Sequence, residues 1–153
     1  MSKVTIGIDP GINGALAVIN GTEVFSMTFT DATIGNVVKE AVEIVRSEPN
    51  RSLVVYIESV HAFPGQGVSS CFKFGRAYGE ALGALDALEA PYRLVSPMKW
   101  QKTIIGIPKK KDGATAHKRA LKMEAQRRFP QCKPTLKTCD ALLIADWGSK
   151  DRI

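Results

Sequence analysis

Apolar residues follow two alternating patterns along this chain, short runs of the kind found in strands and stripes of the kind found in helices. The runs predict strands over residues 3–9, 15–20, 22–28, 53–58 and 92–95. Apolar residues three and four positions apart predict helices over 33–47, 70–89, 114–128 and 139–148, with a shorter one over 98–105. Asn20-Gly21 is a strong hairpin signal between the second and third strands.

The order of these elements predicts an α/β fold, with a five-stranded mixed sheet flanked by helices. The length of 153 residues is sufficient for one full core, and we expect residues 1–153 to form a single domain. No internal repeat or linker divides the chain.

Three carboxylates lie at the edges of apolar elements. Asp9 ends the first strand before Pro10 and Gly11, Glu58 ends the fourth strand, and Asp140 opens the last apolar segment. A charge beside a buried element is costly unless something compensates it. The joint placement of these acids therefore predicts a divalent-metal site.

The positive charge is concentrated in one part of the chain. The net charge is +6, but residues 96–128 contain ten Lys or Arg and only two acids. A basic segment on an otherwise near-neutral domain indicates contact with nucleic acid, although a solvated lysine-rich surface would give the same count.

Membrane insertion and secretion are not expected. No apolar run approaches the ~20 residues of a membrane helix, and the chain enters a strand without a leader pattern. Three cysteines without metal-ligand spacing indicate reduced thiols, so we expect a cytoplasmic protein.

An ordered set of short motifs resembles the RuvC family of Holliday junction resolvases, in particular its small phage-type members, within the ribonuclease H-like superfamily. The matching stretches begin with Ile6-Gly-Ile-Asp-Pro-Gly11 and Tyr56-Ile-Glu-Ser59. They continue with Lys73-Phe-Gly-Arg-Ala-Tyr-Gly79, Lys102-Thr-Ile-Ile-Gly-Ile107 and Asp140-Ala-Leu-Leu-Ile-Ala145. Together they span nearly the whole chain in the family's order.

The resemblance implies a homodimeric endonuclease that nicks four-way DNA junctions symmetrically, with two Mg²⁺ or Mn²⁺ ions and no other cofactor. Asp9, Glu58 and Asp140 match the family's catalytic metal ligands. Lys137 occupies the position, three residues before Asp140, where the family has its fourth metal ligand. This departure concerns the geometry of the second metal ion. Lys102 is the lysine assigned to catalysis, because it precedes the matching Thr-Ile-Ile-Gly run.

The remaining site predictions concern DNA contacts and the subunit interface. In the family, an aromatic residue of the loop after the second acid wedges into the junction. Phe63 is the nearest candidate here, although direct counting places His61 at that position and Phe63 could instead pack over the sheet edge. Gly75, Gly79 and Gly83 form a strip on the helix through which family dimers pair, although packing on the chain's own sheet would also explain it. The basic candidates for DNA contact are Lys73, Arg76, Lys99, Lys102, Lys109, Lys110, Lys111, Lys118 and Lys137.

Simpler interpretations exist for each acid and for the whole protein. Asp140 could be a helix N-cap, Asp9 a turn residue and Glu58 a surface charge. The alternative functions are a catalytically silent junction-binding protein and a YqgF-like ribonuclease on structured RNA. An actin-like or sugar-kinase ATP site is disfavoured, because no later Gly-rich phosphate motif follows Asp9-Pro-Gly11.

Overall fold

The structure is a computed structural model that describes residues 2–30 and 32–151. Its five strands form one mixed sheet in the order β3-β2-β1-β4-β5. β1 is antiparallel to β2 and parallel to β4, which is in turn parallel to β5. The strands are β1 (Ser2–Asp9), β2 (Ala15–Asn20), β3 (Glu23–Thr28), β4 (Arg51–Glu58) and β5 (Tyr92–Val95).

Helices cover both faces of this sheet. The helices α1 and α2 pack on one face and close the larger core, while α3, α4 and α5 pack on the other. The predicted fold class, an α/β protein with a five-stranded mixed sheet flanked by helices, is therefore confirmed. The helices are α1 (Ile34–Ser47), α2 (Val68–Ala87), α3 (Pro97–Gln101), α4 (Ala114–Arg128) and α5 (Cys139–Lys150).

The hairpin between β2 and β3 forms as predicted. Asn20 pairs with Glu23, and Gly21 adopts a φ of 61° in the two-residue turn between them. Among the described residues, no helix is both long and apolar enough to cross a membrane.

Several predicted helix ends are wrong, and the long helix α2 covers Val68–Ala87 instead of 70–89. The short helix stops at Gln101 instead of residue 105. The amides of Thr103 and Ile104 donate to carbonyls only three residues back, and Gly106 then adopts a φ of 80°. The last helix continues beyond Gly148 to Lys150. A Cβ at Gly148 would lie 2.3 Å from the Tyr56 ring, so this glycine permits packing and does not end the helix.

Candidate active site

The two strand-end carboxylates lie side by side at one edge of the sheet. The parallel register of β1 and β4 pairs Ile8 with Ile57, so that the next residue on each strand is Asp9 or Glu58. Because side chains alternate along a strand, Asp9 shares its face with Gly7, which lies against α5. Both strands therefore deliver an acid to the same place.

Close packing of α5 on β1 brings the third carboxylate to this edge. A Cβ at Gly7 would lie 2.4 Å from both the Ala141 carbonyl oxygen and the Ala145 nitrogen, so only glycine permits the contact. Asp140 is in the first turn of α5, and the N-cap position belongs to Thr138. Asp140 is thus not the helix cap, and its side chain is only 14% exposed.

Glu58 is held by a buried tryptophan. The Trp100 side chain is fully buried on α3, and its Nε1 donates a hydrogen bond of 2.8 Å to Glu58 Oε2. Such a bond to a charged acceptor fixes one carboxylate oxygen and leaves the other free. Trp100 is therefore a core residue that also orients the site.

Asp140 is paired with a lysine of α4. Lys118 Nζ donates a hydrogen bond of 2.6 Å to Asp140 Oδ2, with side-chain exposures of 35% and 14%, respectively. Lys118 is one of the lysines expected to contact DNA phosphates. In the structure its ammonium contacts Asp140.

The carboxyl groups at the strand ends have strongly perturbed acidities. Burial, followed by the charge of Asp140, raises the pKa of Asp9 to about 6. Burial, followed by the charge of Asp9, raises the pKa of Glu58 to about 7, although the Trp100 hydrogen bond acts in the opposite direction. Burial lowers the pKa of Lys118, but the carboxylates more than offset this effect and raise it.

The donor chemistry of this site fits a hard divalent cation. Three carboxylates that repel one another in a partly buried place need positive charge, and Mg²⁺ prefers such oxygen ligands. Within the described part of the chain, no group of three Asp, Glu, His or Cys side chains is arranged closely enough to bind one metal ion. Asp9, Glu58 and Asp140 would therefore have to adjust their side chains around it.

Two clefts open beside the carboxylates, and Lys118 lines both. The larger, of about 630 Å³, is lined by Glu58 and Asp140 and also by Lys109 and Lys110 of the lysine-rich loop. The smaller, of about 380 Å³, is lined by Asp9, Phe74 and Lys137, among other residues. Exposed lysines thus surround the acids on two sides.

The other predicted basic contacts lie in several places, and only Lys137 among them lines one of these two clefts. Lys137 is exposed and donates a hydrogen bond to the Thr30 hydroxyl, while Lys111 is exposed in the lysine-rich loop. Lys99 Nζ lies 5.2 Å from the centre of the Trp147 ring. Lys102 is exposed at the end of α3 and lines neither cleft.

The loop after Glu58 and the adjoining helix hold the remaining candidates. The Phe63 side chain is 67% exposed, so it does not pack over the sheet edge. Lys73 and Arg76 are exposed on α2 and line a third cleft.

Asp146, the other acid of α5, has a structural role. Its Oδ2 accepts hydrogen bonds from Arg128 and Lys150 at 2.6 and 2.7 Å. Six residues of helix separate Asp146 from Asp140 and turn it away from the site, as the helical rotation predicts.

Residue types and spacing alone do not reveal the contributions of Trp100 and Lys118 to the site. One signal was available, since Lys118 shares a helical stripe with the buried residues Leu121 and Ala125. A lysine on an apolar stripe needs a buried acceptor. The sequence does not say which acceptor, because that depends on how α4 docks on α5.

Comparison with known proteins supports the fold. No family model and no curated protein matches the sequence. Two similar solved structures are both of RuvC from Thermus thermophilus. One, in complex with a Holliday junction substrate, has a TM-score of 0.59 and 18% identity, covering 95% of this chain and 91% of that one. The other has a TM-score of 0.55 and 21% identity, covering 94% and 92%. The chain therefore has the RuvC-like, ribonuclease H-like fold that its motifs predicted.

Proposed function

We propose that this protein is a Holliday junction resolvase, a structure-selective endodeoxyribonuclease that makes paired nicks in four-way DNA junctions. The observation that carries the proposal is the convergence of Asp9, Glu58 and Asp140 at one edge of the sheet, beside a cleft lined by lysines. A solved protein of the same fold holds a Holliday junction. We place the activity in DNA recombination, repair or phage DNA processing.

In this proposal the three carboxylates bind divalent cations, Mg²⁺ or Mn²⁺. Such an ion would act as a Lewis acid toward the scissile phosphate and lower the pKa of the attacking water. The chain's own residues position the reaction. Trp100 fixes one oxygen of Glu58, and α5 holds Asp140 against the end of β1.

DNA binding is assigned to the basic residues around the clefts. Lys109 and Lys110 line the cleft that contains Glu58, and Lys111 is exposed beside them. Lysines on phosphates provide affinity that falls with added salt. Phe63 is exposed on its loop, where an aromatic side chain can insert between base steps and unstack them. The remaining proposed contacts are Lys73, Arg76, Lys99, Lys102, Lys118 and Lys137.

The chain is proposed to act as a homodimer through α2. Added Cβ atoms at Gly75, Gly79 and Gly83 would meet nothing within 4 Å, so this strip does not serve close packing within the chain. A strip of small residues on an exposed helix lets a second helix approach closely. Paired nicks on a two-fold junction need two active sites, and light scattering is expected to give the mass of two chains.

Cytoplasmic location remains part of the proposal. All three cysteines are free thiols, as is usual in a reducing compartment.

The direct test is cleavage of a labelled four-way junction beside a linear duplex of the same sequence, with Mg²⁺, Ca²⁺ or EDTA. Symmetric nicks on the junction alone, with Mg²⁺ but not EDTA, are expected. An equal rate on the duplex would contradict structure selectivity, and cleavage in EDTA would contradict the metal requirement.

One alternative has a specific observation in its favour. Two lysines, Lys118 and Lys137, lie beside the acids, and Lys137 stands where the resemblance places a fourth ligand. A protein that binds junctions tightly but cuts them with no metal would be the catalytically silent form. Matched RNA substrates in the same assay test the ribonuclease alternative.

A further inference from the structure

Lys118 lies in a position unlike that of the exposed lysines around the clefts. It shares the stripe of α4 that buries Leu121 and Ala125, and about two thirds of its side chain is covered. Its Nζ donates to Asp140 Oδ2 at 2.6 Å. Asp140 is itself mostly buried, so this ion pair is largely shielded from water.

The ammonium also affects the other two acids. Lys118 lines the cleft that contains Glu58 and the cleft that contains Asp9. Its positive charge lowers the pKa of both of these carboxyl groups. One lysine thus serves as a counter-charge for the whole cluster.

A divalent cation bound by the same carboxylates would need the same oxygens. Asp140 Oδ2 already accepts a short hydrogen bond, and an ammonium and a metal ion at one carboxylate repel each other strongly in a partly buried place. Binding of the ion therefore requires the ammonium to move, and the long lysine side chain permits this.

We propose that Lys118 is a resident counter-ion of the carboxylate cluster, which competes with the divalent cation for Asp140 and swings away when the ion binds. The inference rests on the metal-binding role proposed above. Lys118 keeps the acids compensated in the metal-free protein and weakens metal binding. Once displaced, its ammonium lies beside the cluster, where the DNA phosphate is expected.

The first test measures Mn²⁺ binding by isothermal titration without DNA, in a buffer alkaline enough to ionise the acids. Lys118→Met is expected to bind Mn²⁺ about tenfold more tightly than the wild type, since it removes a competing charge. Lys122→Met is the matched control, because Lys122 is one turn further along α4 and lines neither of the two clefts. It should change the affinity by no more than about twofold.

The outcomes separate this inference from the proposed function. If Asp9→Asn loses Mn²⁺ binding while Lys118→Met binds no more tightly than the wild type, the metal site stands and the competition is disproved. If Asp9→Asn binds Mn²⁺ as the wild type does, the proposed metal site itself is wrong.

A second measurement uses the wild-type protein, in case Lys118→Met does not fold. The ammonium signal of ¹⁵N-labelled Lys118, assigned by its absence in Lys118→Arg, is followed during titration with Mg²⁺. A shift of this signal to that of a solvated lysine as the site fills is expected. A signal that stays unchanged at saturation would overturn the inference.

Discussion

Asp9 and Glu58 have unusual pKa values because of their positions at the ends of two neighbouring strands. Each is partly buried, and each lies within reach of the charge of another acid. Both effects favour the protonated form, so these groups hold their protons well above the usual range of pKa. Without a metal ion, Lys118 offsets these effects only in part, and both pKa values stay raised.

The first prediction concerns the pH dependence of stability in EDTA. The pKa of Asp9 is about 6 in the folded protein against an ordinary 3.8, and that of Glu58 is about 7 against 4.5. The folded state therefore binds more protons than the unfolded state between about pH 4 and pH 7, and both groups destabilise the fold as the pH rises. Asp9→Asn and Glu58→Gln should each gain stability relative to the wild type over this interval. Urea unfolding at several pH values measures the difference.

The critical observation is that the stability advantage of the two variants over the wild type grows as the pH rises. Stability differences between wild type and variants that stay constant from pH 4 to pH 7 would show that the two carboxyl groups are not perturbed. Adding Mg²⁺ should remove the disadvantage of the wild type at neutral pH, because an ion that binds only the folded state stabilises it.

The second prediction concerns Trp100. Trp100→Phe keeps most of the buried ring but removes the donor to Glu58, a bond to a charged group that is worth about 1.5–3 kcal/mol. Cleavage should slow about tenfold or more. The Trp100 hydrogen bond lowers the pKa of Glu58 in the wild type, so its loss should raise that pKa and move the pH profile of cleavage to higher pH.

The matched control for this substitution is Trp147→Phe. Trp147 packs edge-on against Tyr56 and lies under Lys99, so the substitution alters packing without touching the acid. If both variants shift the pH profile equally, the Trp100 hydrogen bond does not tune the site.

Sequence and structure agree best on the residues at the strand ends. Apolar runs that end at Asp9 and Glu58 predict both the two strands and the position of an acid at the end of each. This is possible because a strand pattern is formed by neighbouring residues in the sequence. The partners Trp100 and Lys118 come from α3 and α4, whose docking depends on contacts far apart in sequence. No local pattern identifies such a pair in advance.

At the scale of elements, the contact between α5 and β1 determines the geometry of the site. Gly7 allows the α5 backbone to lie directly on the strand, and this contact places Asp140 beside the end of β1. The sequence identified both elements, but it did not indicate that their backbones touch.

The third prediction follows from this contact. Gly7→Ala would place a Cβ 2.4 Å from two backbone atoms of α5, so the helix must shift. A loss of stability of about 1–3 kcal/mol, together with reduced cleavage, is expected in denaturant titrations and junction assays. Gly35→Ala is the control, because Gly35 is in α1, where its Cβ would meet nothing closer than 3.7 Å and alanine favours a helix. A Gly7→Ala variant as stable as the wild type would disprove the close contact.

The fourth prediction concerns the lysine-rich loop before α4. Reversing the charge of Lys109, Lys110 and Lys111 should weaken junction binding, and each lost phosphate contact should reduce the slope of affinity against salt by about 0.9. Lys39→Glu is the control, because Lys39 is exposed on α1, which covers the other face of the sheet. An unchanged slope in the triple variant would show that these lysines do not contact DNA.

The wrong ends of α3 and α5 have separate causes. Periodicity continues past Gln101 into residues that are apolar but exposed, such as Ile105 at 98%. Gly148 was interpreted as a stop signal, although it packs against Tyr56 inside the helix. A pattern of residue types does not distinguish a glycine that ends a helix from one that allows a close contact.

At the scale of the whole molecule, the fold was predictable because alternating strand and helix patterns leave few arrangements of a mixed sheet. The residues assigned to metal and DNA are spread over the chain, from Asp9 to Asp140. Folding gathers the three acids at one edge of the sheet and places basic residues around them. The proposed function depends on this gathering, together with pairing of two chains through α2.

The most direct test of this account compares Asp9→Asn with the wild type on one labelled four-way junction in Mg²⁺, measuring binding and cleavage together. Asparagine keeps the size of the side chain but removes the charge that a metal ion needs. The account predicts paired nicks by the wild type, and unchanged junction binding with cleavage at least about a hundredfold slower by the variant. Cleavage by Asp9→Asn at the wild-type rate would contradict the carboxylate site on which the proposed function rests.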